Sequence, residues 1–263
     1  MTIDLKPSAE TAPPLPLPGP HPAYLVTGHA RQSRWLVTCD HASNAVPEPI
    51  DPTLGISPQD MARHIAFDIG AKGLAHRLAH RLDAPVIEST FSRLVIDPNR
   101  GEDDPTLLMK LYDGTIIPAN RHADEAEKQR RLNALHRPYH AAYEALAAQR
   151  PDRAICAIHS FTPQLKGRPP RPWQAAVLYS HRDTRLALPL IEGLRAAGIL
   201  TGDNEPYSGH LDGDSIDRHA LQTSRPNVLI EVRNDLIASE DGQIAWADLL
   251  APIIETALRR AGI

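Results

Sequence analysis

Three short apolar runs constrain this chain more than any other feature, because each stops on a group that binds metal or moves protons. They are "RWLVTCD" (34–40), followed by His41, "AICAIHS" (154–160) and "NVLIEV" (227–232). Near-continuous apolar runs of this length are what strands covered on both faces require. Helical signals separate them. "SPQD" (57–60) supplies an N-cap, a proline at the first helical position and an acidic group, and the apolar positions Ile65, Ile69, Leu74, Leu78 and Leu82 extend one helix to "DAP". A helical region starts near Ala123, restarts at Pro138 and runs to Ala148. "DTRLALPLIEGLRAAG" is a helix closed by Gly198, and a last helix spans about Gln243 to Arg260. "PVIEST", "RLVID" and "AAVLYS" are further short strands. This alternation predicts a three-layer αβα domain with a mostly parallel mixed sheet, phosphorylase/hydrolase-like.

The first 22 residues contain proline at 7, 13, 14, 16, 18, 20 and 22, which predicts an extended or disordered arm ahead of one domain at 23–263. A net charge of -4 leaves no basic field for nucleic acid, and no apolar run reaches the ~20 residues of a membrane helix. Cys39 and Cys156 fall inside strand runs, as reduced core thiols of a cytoplasmic protein do; no signal peptide is evident. There is no GxxxxGK[ST], GxGxxG or GxSxG, which removes phosphate-cradling and serine-nucleophile chemistries.

In open α/β sheets functional groups collect beyond the carboxyl ends of the strands. His41 and His159 both follow core strands, and paired imidazoles suit a zinc ion that keeps one position open for water. The third ligand comes from Asn44, His64 or Asp68, the last two on the inward face of the first helix; carboxylate chemistry favours Asp68. Glu231 interrupts an apolar strand, so it either pairs with an arginine such as Arg233 or serves as general base beside the metal. "FSRLVIDPNR" offers Arg93, Asn99 and Arg100 to hold a substrate carboxylate, with Asp97 pairing one of the arginines as scaffold. Ser43, Asn44 and Ser160 flank the two histidines, and together with Arg233 and His219 they complete the substrate-facing set; His219 fits a helix surface equally well. "RPPRPW" (168–173) and "DNEPYSGH" (203–210) are turn-rich loops placed to line or cover a pocket.

The motifs "DHASNAVP", "SRLVIDPNR", "IHSFTP" and "LIEVRND", in this order from about Trp35 to Glu231 and beyond, resemble the N-formylglutamate amidohydrolase family. The family is similar in fold to zinc carboxypeptidases and zinc amidases. The resemblance implies one zinc per chain on His41 and His159, with Glu231 as acid/base and Asp68 where the family carries an acidic residue. It also implies that Asn99 and Arg100 take the substrate carboxylate, that the substrate is a small acidic acylated amino acid as in histidine degradation, and it is compatible with a homo-oligomer. Departures are Ser43 in place of glycine, Pro98 in place of leucine, and Asn44 where carboxypeptidases have the glutamate of His-x-x-Glu. They leave open an amidase on another substrate, such as a cell-wall peptide; a carboxylate-binding protein without catalysis would instead show a lost metal ligand or a lost Glu231, and neither is evident.

Overall fold

The computed structural model describes residues 22–263 apart from 49, 51, 52 and 210, so the arm expected at 1–22 lies outside the described residues except for its last position. In chain order, β1 (Tyr24–Thr27) and β2 (Trp35–Cys39) precede a short helix α1 (Pro58–Met61), helix α2 (Ala71–Arg81) and β3 (Val86–Ser89). A hairpin of β4 (Leu111–Tyr112) and β5 (Thr115–Ile116) leads through α3 (Pro118–Arg121) and α4 (Glu125–Arg131) into a π-turn, Leu132–His136, and α5 (Arg137–Ala148). Then come β6 (Ala154–Phe161), β7 (Ala175–Leu178), α6 (Ala187–Ala196), β8 (Thr201–Asp203), α7 (Ser215–His219), β9 (Asn227–Arg233) and α8 (Glu240–Arg260).

The main sheet runs β1-β3-β2-β6-β9-β7-β8. Its centre, β3-β2-β6-β9, is parallel, while β1 and β7 run antiparallel to β3 and β9 and β8 lies parallel to β7. Alternate residues of each central strand face opposite layers. Val37, Cys156, Ile158, Val228 and Ile230 pack under α2, α6 and α8, where Leu74, Leu78, Leu190, Leu194, Leu250 and Ile254 are buried. Leu36, Ile155, Ala157 and Leu229 face the other layer, built from Tyr139, Tyr143 and Leu146 of α5 and the buried segment Phe91 to Ile96. Both faces are covered, which is why these strands read as continuous apolar runs. Cys39 and Cys156 are buried and free, and burial pushes the Cys156 thiol up to about 12.

Two expectations need correction. The helix expected from Ser57 to Leu82 is two helices separated by an irregular stretch over 62–70, so Asp68 and His64 sit on no helix face. The break is set at Gly70, whose φ is +80° and whose missing Cβ would fall 2.1 Å from the Ile237 carbonyl oxygen; only glycine takes this conformation at such close approach. "RLVID" is not a strand. Its polar backbone is satisfied locally: Val95 N–H donates to the Ser92 carbonyl, Asp97 N–H to Leu107, while Asn120 and Arg131 side chains donate to the carbonyls of Leu94 and Val95. With those groups already paired, the segment has no need of a sheet ladder. The sequence reading also missed β1, β8 and the hairpin, all short and at sheet edges or outside the main sheet.

Candidate active site

His41 lies just beyond β2, and His159 and Glu231 stand directly opposite each other in the parallel register of β6 and β9. The irregular stretch after α1 is tied to this edge by Asp68 N–H donating to the His41 carbonyl at 2.9 Å. That bond brings the Asp68 carboxylate between the two rings: Oδ2 lies 2.9 Å from His159 Nδ1, 3.3 Å from His41 Nδ1 and 3.3 Å from Ser160 N. Ligand atoms of the three residues fall within 4.8 Å of one another, and all three residues are buried.

Behind each ring stands a further carboxylate. His41 Nε2 donates to Asp97 Oδ1 at 2.7 Å, and His159 Nε2 faces Asp40 Oδ2 at 3.4 Å. This is the arrangement in which histidine binds metal through one nitrogen while the other is oriented by an acid. Asp40 is itself held by the Tyr139 hydroxyl, which donates to Oδ1 at 2.5 Å. Burial alone would raise the Asp68 carboxyl, but His41 and His159 outweigh it and hold it far below the carboxylate range. Burial would likewise discharge His159, yet the Asp40 and Asp68 carboxylates push it well above its usual value. The cluster thus concentrates the Asp40, Asp68 and Asp97 carboxylates around two imidazoles, which is the charge balance a divalent cation satisfies. Two Nδ1 donors and one carboxylate oxygen, converging and oriented from behind, fit a catalytic zinc.

These groups line a cavity of about 470 Å³, within the range of small-molecule sites. Glu231 is buried on its wall; Oε1 accepts from the Tyr207 hydroxyl at 3.1 Å and Oε2 has no hydrogen-bond partner among the described residues. Burial raises its pKa above the usual glutamate value, with opposing pulls from His159 and Asp68. Arg93 is buried and gripped by Asp97 through two bonds (3.2 and 2.8 Å), with Asp68 3.5 Å away. Arg100 and Arg171 also line the cavity and donate to uncharged acceptors: Thr106 and the Asn99 carbonyl for Arg100, the Thr162 carbonyl for Arg171.

Of the residues expected from sequence, His41, Asp68, His159, Glu231, Arg93, Asn99, Arg100 and Ser160 all reach the cavity. Ser43, Asn44, Arg233 and His219 do not line it. Asn44 is exposed and donates to the Met61 carbonyl, Ser43 Oγ caps Ala45 N–H, and Arg233 pairs with Asp235. His219 is buried behind the wall rather than displayed on a helix surface, bonded to His140 and Glu144. His64 lines the cavity outside the three-residue cluster, its Nε2 3.6 Å from Asp113. Asp97 does pair with Arg93 as expected, but its role as the acid behind His41 was missed, as were Asp40, Tyr207, Arg171 and Asp214. The signal was partly present: Asp40 and Asp97 each sit inside a motif already singled out, and Tyr207 and Arg171 lie in the two turn-rich loops.

The N-formylglutamate amidohydrolase family model matches residues 33–238. Among solved structures, a gene product of Agrobacterium tumefaciens is 35% identical over 92% of this chain and 96% of its own, with a TM-score of 0.84. An N-formylglutamate amidohydrolase from Ralstonia eutropha JMP134 is 22% identical over 92% of this chain and 99% of its own, with a TM-score of 0.69, and so shares the fold. No curated protein matches in sequence at a significant level. Among the described residues, no helix is long and apolar enough to cross a membrane.

Proposed function

This chain belongs to the N-formylglutamate amidohydrolase family, and from that premise we propose that it hydrolyses the amide bond of a small N-acylated acidic amino acid, N-formylglutamate or a near relative, as a zinc enzyme. The family and fold support a hydrolase of amide bonds; the zinc and the substrate are our own reading. The observation that carries it is the buried His41–Asp68–His159 cluster facing a cavity that also holds Glu231.

His41, Asp68 and His159 would hold the ion, whose charge polarises an acyl carbonyl and acidifies water. Asp97 and the nearby Asp40 orient the two rings so that both Nδ1 atoms point inward. Glu231 then takes a proton from the attacking water and delivers it to the departing amine, so that amide plus water becomes acid plus amine. Burial raises its pKa above the usual glutamate value, which suits a group that must both accept and return a proton. Because Asp97 already neutralises Arg93, the guanidinium groups of Arg100 and Arg171, which make no direct ion pair among the described residues, are the better receptors for the two carboxylates of an acylated glutamate. Arg93, beside Asp68, is placed to steady negative charge near the reacting centre.

Metal analysis should return about one zinc per chain. Glu231→Gln should retain that zinc and lose about 10²–10⁴ of kcat. Full activity in Glu231→Gln, or a purified protein with no affinity for zinc, refutes the assignment. A panel of N-acyl amino acids run against cell-wall peptides identifies the acyl group and the acid the cavity accepts.

A further inference from the structure

The segment that carries Asn99 and Arg100 into the cavity belongs to no strand, and its backbone is gripped instead by histidines from the layer behind. His136 Nε2 lies 3.0 Å from the Arg100 carbonyl oxygen, and His140 Nε2 lies 2.9 Å from that of Pro98. A carbonyl only accepts, so both Nε2 atoms carry protons. The rings are one helical turn apart, with centroids 4.4 Å from each other, and the carbonyls they hold are two residues apart in a turn. His136 closes the π-turn that leads into α5, a local rephasing of the helix of the kind found beside functional sites. Both histidines are buried, and neither lines the cavity.

A second pair continues the row. His140 Nδ1 faces His219 Nε2 at 2.8 Å, and His219 Nδ1 faces Glu144 Oε2 at 2.9 Å. Together with the Pro98 contact these are three hydrogen bonds needing three protons, while two neutral imidazoles supply two. The third proton belongs at the His219–Glu144 contact; that bond holds the Glu144 carboxyl below its usual value, so the proton sits on His219 Nδ1 against the pull of burial. His140 is left neutral, protonated at Nε2 and accepting at Nδ1; burial and the neighbouring His136 and His219 keep further charge off it.

We propose that His136 and His140 are positioning residues for the Asn99–Arg100 segment, and that His219 and Glu144 lock His140 in the tautomer that grips the Pro98 carbonyl. The arrangement sets affinity for the substrate's acidic end rather than the rate of the chemical step; in that respect it rests on the reading of Arg100 as a carboxylate receptor.

The test uses zinc-loaded full-length protein carrying His140→Leu or His140→Gln, the second of which keeps an N–H donor. His140→Leu should raise KM for N-formylglutamate about tenfold with kcat within about threefold of wild type, and His140→Gln should recover most of that loss. Zinc content should not change in either. An unchanged KM, or a fall in kcat at constant KM, overturns the proposal, as does zinc loss that accounts for the whole effect. Should His140→Leu fail to fold, the ¹⁵N–¹H spectrum of the wild-type imidazoles decides: slowly exchanging protons on Nε2 of His136 and His140 support the proposal, and an Nδ1-protonated His140 overturns it. A wild-type protein that turns over no N-acyl amino acid refutes the proposed function instead; the grip is then read from the tautomers and from calorimetric affinity for glutarate, which should fall about tenfold in His140→Leu.

Discussion

Replacing Asp97 by asparagine alters almost no volume and removes one charge, yet it strikes the site at two points. Oδ1 of Asp97 accepts from His41 Nε2 at 2.7 Å and from Asn99 N–H at 2.9 Å, while Oδ2 takes both bonds from Arg93. An amide can still accept from His41 through its oxygen, but its NH2 group then meets the Arg93 guanidinium donor to donor. An acid behind a metal-bound histidine is typically worth 10–100-fold in metal affinity, or about 1.4–2.7 kcal/mol. The second loss is the counter-ion of a buried arginine, a change that costs about 3–5 kcal/mol where no other partner remains. Here Asp68 stays 3.5 Å from Arg93 and retains part of the pairing, so the expected cost is smaller, about 2–3 kcal/mol. In a chain of this size that lowers Tm by about 5–10 °C. Zinc competition against a fluorescent chelator and thermal melts with and without zinc read the two effects separately. Zinc affinity within about twofold of wild type would refute the claim that Asp97 supports the metal ligand.

Tyr207→Phe removes the hydroxyl that donates to Glu231, whose pKa burial already raises; the acid limb of the kcat/KM profile should move to higher pH, and an unmoved limb would show that Tyr207 does not tune the base. Gly70→Ala forces a side chain into φ +80° and against the Ile237 carbonyl, at a cost above about 2 kcal/mol. It should lower both Tm and zinc content, because the displaced backbone carries Asp68, and a variant with normal zinc would refute that coupling. Burial pushes the Asp214 carboxyl up to about 7, so between the usual aspartate value and that pH the folded state binds the extra proton and stability falls as pH rises. Asp214→Asn keeps a capable N-cap and removes this penalty, so relative to wild type it should gain stability from pH 4 to pH 8, by up to about 4 kcal/mol. Denaturant midpoints across that range check the sign.

The three core strands and their terminal chemistry were legible because a strand buried on both faces must be apolar throughout, and a polar residue at its end has few places to point. His159 and Glu231 became opposite neighbours simply because β6 and β9 pair in parallel register. Substrate-facing positions assigned by adjacency alone were less secure. Ser43 and Asn44 follow His41 in the chain, yet the segment turns outward there and spends their side chains on its own backbone and on Met61. Arg233 ends the same strand as Glu231 but points to Asp235.

Composition and periodicity determined the αβα layering, the sheet edge that bears the site and three of the groups gathered there. Tertiary structure alone decided that Asp68, not Asn44 or His64, completes the cluster, that Asp40 and Asp97 stand behind the histidines, and that His219 is buried against His140 and Glu144 rather than lining the cavity. The reason is physical. Periodic elements advertise their buried face through repeating side chains, whereas the segments 62–70 and 91–100 are shaped by a left-handed glycine, turns and side chains bonded to carbonyls, and such long-range bonds leave no period in the sequence to find.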